Sequence, residues 1–252
     1  MDKITSLRNP LCQHIRNLGS DKSYRQKHGE FLCDGKKLLE EALKNDITVT
    51  NVLTSALPEI PLPIGTRVHL CDRSLINALS PLKNSQDTLF TCAMQASDAD
   101  DYAPGTHVLL DAVSDPGNVG AIIRTANAFG VNSVMLFGEC ADVYNPKTIR
   151  GTMGAIFRQK TVSMSLPSLE ALKNKGFVII GSAPESGGTI VTKASFDNAI
   201  IAIGNEGRGL SEQIEKLCDD MVRIPIAPEC ESLNAAVAAA ILIWEASKAR
   251  RR

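Results

Sequence analysis

Nothing in this sequence is arranged to hold a metal or a disulfide framework. Its seven cysteines, at positions 12, 33, 71, 92, 140, 218 and 230, form no Cys-x-x-Cys pair, and no histidine clusters with them. An odd number of thiols without metal-type spacing suits a reducing compartment. The four histidines (His14, His28, His69 and His107) all precede position 108, so the C-terminal half has no imidazole to serve as a general base. Charge of one sign is missing too: 27 Lys and Arg against 28 Asp and Glu leave a net charge of −1, not the basic excess of a typical nucleic-acid-binding domain. No apolar run reaches membrane-spanning length, and the start MDKITSLRNPLC lacks an apolar signal-peptide core, so a cytoplasmic protein with no membrane partner is expected. Internal repeats and low-complexity segments are also absent.

What is there reads as globular. A 44% hydrophobic and 22% charged composition over 252 residues suits two modest domains. Three segments of the C-terminal half carry polar, glycine- or proline-rich turns after apolar strands. In the first, His107-Val-Leu-Leu is followed by Asp115-Pro-Gly-Asn118 and then by Val119, Ile122, Ile123, Ala126 and Phe129 at helical spacing. Arg124 falls on the second turn of that helix, where it could meet a ligand held over the strand-to-helix turn. In the second, the apolar Ile200–Ile203 leads into Gly204-Asn-Glu-Gly-Arg-Gly209, a loop with one carboxylate, Glu206, and glycines that let a ligand approach the backbone. In the third, Arg223-Ile-Pro-Ile-Ala-Pro-Glu-Cys-Glu-Ser-Leu-Asn234 precedes an alanine-rich helix that either Ser232 or Asn234 could cap; its apolar residues nearly encircle it, which predicts burial. Each turn alone is ordinary punctuation of an α/β domain. Together they predict a site.

The three segments resemble the motifs of the SpoU (TrmH-type) family of RNA ribose 2′-O-methyltransferases, in the family's order and over roughly residues 107–247. The resemblance implies S-adenosylmethionine as cofactor, no metal, a parallel sheet with a deep trefoil knot, and an obligate homodimer through the methyltransferase domain. It assigns Arg124 as the catalytic residue. A guanidinium has donors and no acceptor, so a clamp on phosphate and on a developing alkoxide is preferred to a base. By the same resemblance Asn118 positions Arg124 or the ribose, and Glu206 orients the Arg, through a Glu206–Arg124 link, or holds substrate. Ser232 and Asn234 line the reaction centre, and backbone groups of Gly204, Ile224 and Leu233, with Asn234, bind the cofactor. Ala236 departs from the family, many of whose members carry Ser there. Without the resemblance, a nucleotide phosphate would be placed on Gly117–Gly120, although the spacing is not G-x-G-x-x-G.

Strands and helices alternate after position 107, which predicts a mostly parallel sheet covered on both faces. Before it, the acidic stretch 96–106 reads as a linker between an N-terminal domain, 1–97, and the methyltransferase domain, 106–252. Leu38, Leu39, Ala42 and Leu43 suggest an amphipathic helix, and 47–53, 68–71 and 88–93 suggest strands. Ile4–Pro10 and Gly29–Leu43 are similar to the RNA-binding domain, itself like a ribosomal protein, that precedes the catalytic domain in many ribosomal-RNA members; Asp34-Gly35 stands where Glu-Gly is more usual. Basic residues outnumber acidic ones nine to six over positions 1–44. Lys22, Arg25 and Lys27 are therefore expected to contact RNA phosphates, and a basic group closes the chain. The expected reaction is methyl transfer to a ribose 2′-hydroxyl, with 23S ribosomal RNA favoured as substrate. A transfer-RNA ribose methyltransferase and a non-catalytic ribosome-assembly factor are the alternatives.

Overall fold

The computed structural model describes residues 3–83, 85–95, 102–183 and 188–249. Most of the expected linker, 96–101, and Arg250, Arg251 and Arg252 of the basic tail lie outside these residues. The chain divides into two compact units, Met1–Ala96 with Asp142–Arg158, and Ser97–Ala141 with Gln159–Arg252.

The first unit runs β1 (Lys3–Ile4), α1 (Pro10–Ser20), α2 (Lys22–His28), β2 (Glu30–Asp34), α3 (Lys36–Lys44), β3 (Val49–Thr54), β4 (Arg67–Cys71), α4 (Arg73–Leu79) and β5 (Thr88–Ala93). Its sheet has the order β1-β4-β3-β5-β2, with β5 antiparallel to β2 and β3. Cys12, Ile15 and Leu18 of α1 and Ile76 and Leu79 of α4 pack one face onto Leu32, Leu53 and Leu89. Strand side chains alternate, so Phe31 points the other way and meets Tyr144, with ring centroids 4.6 Å apart, and Phe157, at 6.5 Å. That contact brings residues 142–158 into this unit, whereas the sequence reading placed them with the methyltransferase domain.

Arg25 ties the same segment down. Its Nη1 donates to Leu18 O (2.6 Å), and Nε and Nη2 donate to Asp142 Oδ2 (3.0 and 2.5 Å). At 2% exposure it cannot be the phosphate contact expected from the sequence. A helical period of 3.6 explains the error: Arg25 falls on the inward side of α2, while Lys22 and Lys27 are exposed.

The second unit carries β6 (His107–Asp111), α5 (Pro116–Ala128) and β7 (Ser133–Phe137). The chain passes through α6 (Pro146–Thr152), which packs with the first unit, and returns as β8 (Thr161–Ser163), α7 (Leu166–Asn174), β9 (Val178–Ser182), β10 (Thr189–Ile190), β11 (Ala199–Ile203), α8 (Glu212–Leu217), β12 (Asp220–Arg223) and α9 (Ala235–Ala249). The seven strands lie in the order β10-β12-β9-β11-β6-β7-β8, and every pairing is parallel. Both faces are covered, which is why β6 and β11 are buried along their whole length. Leu169 and Leu172 of α7 and Ile214 of α8 pack on Leu109, Ile179, Ile200 and Ala202; α5 and α9 pack on each other, α5 also on β7 and α9 on β11. No helix among the described residues is long and apolar enough to cross a membrane.

Candidate functional site

Ligands of open parallel sheets bind at the carboxyl ends of the strands, and here β6, β11 and β12 end on the three motif segments. Helix α5 starts earlier than its apolar spacing suggests. Pro116 occupies the first turn, where its missing N–H is no loss, and Asp115 Oδ1 accepts from Asn118 N at 3.0 Å. Asn118 is thus fixed within the first helical turn.

From Asn118 a line of side chains crosses all three segments. Asn234 Oδ1 caps α9 by accepting from the amides of Ala236 (3.0 Å) and Val237 (3.3 Å), so its Nδ2 faces outward and donates to Asn118 Oδ1 at 3.0 Å. Asn118 Nδ2 then donates to Glu206 Oε1 at 2.8 Å. Asn205 Nδ2 donates to Glu206 Oε2 (3.3 Å) and to Ala112 O (2.8 Å), while Asn205 Oδ1 accepts from the amides of Gly207 (3.0 Å) and Arg208 (3.3 Å). Every amide orientation in the line is therefore dictated by a backbone group at one of its ends. Burial raises the Glu206 carboxyl, but hydrogen bonds from Asn118 and from the backbone amides of Glu206, Ser114 and Asp115 outweigh it and hold the group below the ordinary carboxylate range. Both oxygens of Glu206 accept in the line, as an ionised carboxylate does.

The loop carrying Glu206 is bolted to the end of β6. Asn205 and Gly209 exchange two backbone bonds of 2.9 Å. Gly204 has no room for a side chain: a Cβ would sit 2.2 Å from the Gly209 carbonyl carbon and 2.4 Å from the Leu210 nitrogen. The buried Asp111 carboxylate accepts from Ser211 N at 2.5 Å, and Ala112, at φ +53°, turns its carbonyl to Asn205. Asp111, Ala112 and Asn205 thus hold the loop from both ends. The sequence reading missed all three; the signal available was a carboxylate closing an otherwise apolar strand.

Two other expectations, the Glu206–Arg124 link and the burial of α9 nearly all round, meet a different arrangement. Arg124 is exposed, with no hydrogen bond or ion pair to any described residue, so Glu206 is bound by two asparagines and not by Arg124. Six residues beyond Asn118, it lies about 9 Å along the helix and about a third of a turn away. Of the two candidate caps of α9, Asn234 makes the bonds and Ser232 stays exposed with none. Helix α9 is not buried all round: Val237 and Trp244 are 48% and 40% exposed, with Ile241 between them on the same face. Gly204 is buried at the sheet end, whereas Ile224 and Leu233 are half-buried and flank the third loop. Neither backbone group of Leu233 is bonded to the described residues. His107 is a core residue. Ala103 O accepts from its Nε2 (3.1 Å), which leaves Nδ1 to accept from Ser133 Oγ (2.8 Å); burial first, then Lys160, lowers its pKa against the raising effect of the Ala103 bond.

A parallel sheet with three polar loops joined at its carboxyl end defines the class, and the comparisons agree. Residues 105–244 match the SpoU rRNA methylase family, and the chain belongs to that family. It is 34% identical to a 23S rRNA (guanosine(2553)-2′-O)-methyltransferase, RlmP, of Bacillus subtilis, over 97% of this chain and 98% of the relative. Among solved structures it resembles the SpoU methyltransferase AviRb from Streptomyces viridochromogenes in complex with AdoMet (30% identity, TM-score 0.86, covering 97% of this chain and 99% of the other). It also resembles an AdoMet-bound rRNA methyltransferase from Sinorhizobium meliloti (27% identity, TM-score 0.88, 98% of each chain).

Proposed function

We propose that this chain transfers the methyl group of S-adenosylmethionine to a ribose 2′-hydroxyl of 23S ribosomal RNA, as a cytoplasmic homodimer whose catalytic domain carries the family's trefoil knot. The observation that carries the reading is the bonded line Asn234–Asn118–Glu206, one residue from each motif segment, at the carboxyl end of the parallel sheet. Ribosomal RNA is favoured over transfer RNA because the likeness to the RlmP relative extends through the first unit as well as the second.

The residues present fit the cofactor. Purine and ribose edges need hydrogen bonds more than charge, and the untaken N–H and C=O of Leu233, with backbone groups of Ile224 and Gly204, offer bonds of that kind. When bound, S-adenosylmethionine supplies an already activated methyl group, and the protein must place the hydroxyl in line with it. Asn118 and Asn234 line that place. Glu206, held ionised, keeps Asn118 in one orientation and is a poor acceptor for the hydroxyl proton. Arg124, with no hydrogen bond or ion pair among the described residues, clamps the substrate phosphate and stabilises the developing alkoxide. Ser232, exposed in the third motif segment, contacts RNA.

The exposed Val237–Ile241–Trp244 face of α9 supports the dimer, since an apolar stripe of this kind is a subunit contact surface. Replacing Val237 and Trp244 by Lys should convert a two-chain mass in solution to a one-chain mass. The reaction itself is tested by tritiated methyl transfer to RNA from a strain lacking the protein, with mapping of the modified nucleotide; methylation of transfer RNA, or of a base, would overturn the reading. Arg124→Ala should slow transfer by about 10²–10³ while calorimetric affinity for S-adenosylmethionine holds, and Arg124→Lys should recover little, because a point charge does not replace a planar fork. Wild-type turnover by Arg124→Ala would remove it from the mechanism.

A further inference from the structure

Helix α2 presents a built aromatic stack that the methyl-transfer site does not use. Tyr24 and His28 are one turn apart, and their rings stack with centroids 4.1 Å apart and planes at 28°. The inner ring is anchored: the Tyr24 hydroxyl bonds His14 Nδ1 (3.0 Å), and His14 Nε2 bonds Glu30 Oε2 (2.8 Å). The stack therefore rises from β2 through α1 to α2 and ends on His28, which is exposed. His14 also meets the edge of the His28 ring, with centroids 5.3 Å apart and planes at 71°, and beyond it Gly29 at φ +61° adds no side chain.

The charges nearby are sorted by sign. Both carboxylates of the segment are committed, Asp21 to the amides of Ser23 (2.8 Å) and Tyr24 (3.2 Å), and Glu30 to His14. Lys27, next to His28 in the chain, and Lys22 are exposed and make no ion pair with the described residues. A pre-stacked ring with free cations beside it matches one ligand chemistry well: an unpaired nucleobase whose flanking phosphates carry the opposite charge. Proteins read the single-stranded parts of RNA by such stacking.

We propose that His28, supported by Tyr24, His14 and Glu30, is a stacking platform for an unpaired base of the RNA substrate, with Lys27 taking an adjoining phosphate. The inference rests on the reading of the chain as an RNA methyltransferase and adds a substrate contact on the first unit. It is tested with two probes, an unmodified 23S ribosomal RNA transcript in the methyl-transfer assay and a single-stranded oligoribonucleotide containing 2-aminopurine, whose fluorescence falls on stacking.

His28→Ala should raise the KM for the transcript about tenfold, within the range of one lost base–aromatic stack, and abolish the quenching. His28→Phe should restore both. Lys27→Ala should keep the quenching and flatten the salt dependence of binding by about one phosphate contact. Circular dichroism and affinity for S-adenosylmethionine should match wild type in all three. His28→Ala behaving as wild type, or His28→Phe being as weak as His28→Ala, would overturn the platform while wild-type methylation leaves the enzyme reading intact. Failure of the wild-type protein to methylate the transcript or other RNA would instead overturn the enzyme reading.

Discussion

The loop after β11 and the loop after β12 serve one site and are built in opposite ways. Residues 204–210 close on themselves through two backbone bonds and are fastened outside by Asp111 and Ala112. Within 224–233, by contrast, the one turn bond runs from Cys230 N to Ala227 O, and the segment is secured at its end by Asn234 capping α9. A loop whose polar groups are satisfied internally can hold a side chain in place, and the first loop holds Glu206. A loop that leaves backbone groups unused offers them to a ligand, and the second fits the cofactor edge. The contrast separates a holding element from a binding element.

Substitutions in the bolted loop should therefore cost stability, and those in the open loop should not. The largest effect is expected for Gly204→Ala, whose added methyl would overlap backbone that cannot yield; a loss of about 3 kcal/mol should appear as a clear fall in melting temperature, and a variant melting like wild type would erase the contrast. Asp111→Ala leaves the part-buried Ser211 amide without its acceptor and should cost about 1–2 kcal/mol. Asp111→Asn, which keeps an acceptor, should recover most of that loss in denaturant titration.

Glu206→Gln should act on rate more than on stability. One arm of the Gln amide must be a donor, yet both neighbours already offer N–H, and Asn205 is locked by Ala112 and the loop amides. Methyl transfer should fall about tenfold, the effect of about one lost hydrogen bond. The same substitution sharpens the pH behaviour. The folded Glu206 carboxyl lies below its unfolded value, so its contribution to stability is present above the unfolded pKa of about 4.3 and is lost as pH falls through the folded one. Acid unfolding curves of wild type and Glu206→Gln should therefore converge as pH falls from the unfolded pKa through the lower folded one; parallel curves would show that the carboxylate is not held ionised. The smallest effect belongs to the open loop, where Cys230→Ser, at an exposed position, should change stability by less than about 0.5 kcal/mol.

Much of the second unit was legible because its strands are buried on both faces and read as short apolar runs between turn residues. Strands 107–111, 133–137 and 199–203 fall where that pattern puts them. The two-residue β10 is too short to leave a pattern. In the first unit, α1 and α2 went unread although Asn9-Pro10 and Asp21 are cap signals and Cys12, Ile15 and Leu18 keep a helical period. The mixed sheet interleaves strands from distant parts of the chain, and its order has no local mark.

By itself the sequence determined the strand–turn–helix units and the identity of their polar residues, since cap chemistry and hydrophobic period act over a few residues. Only the tertiary structure decided which of those residues meet. Asn118 and Glu206 are 88 positions apart, Asn118 and Asn234 116, Arg25 and Asp142 117, and Asp111 and Ser211 100. Charge placed Arg25 on an RNA surface, and the family resemblance together with charge paired Arg124 with Glu206. Folding buried the first against a distant carboxylate, because a buried charge must be paired with whatever the packing brings to it, and gave the second's partner to two asparagines, whose amides hydrogen-bond an exposed carboxylate without neutralising it.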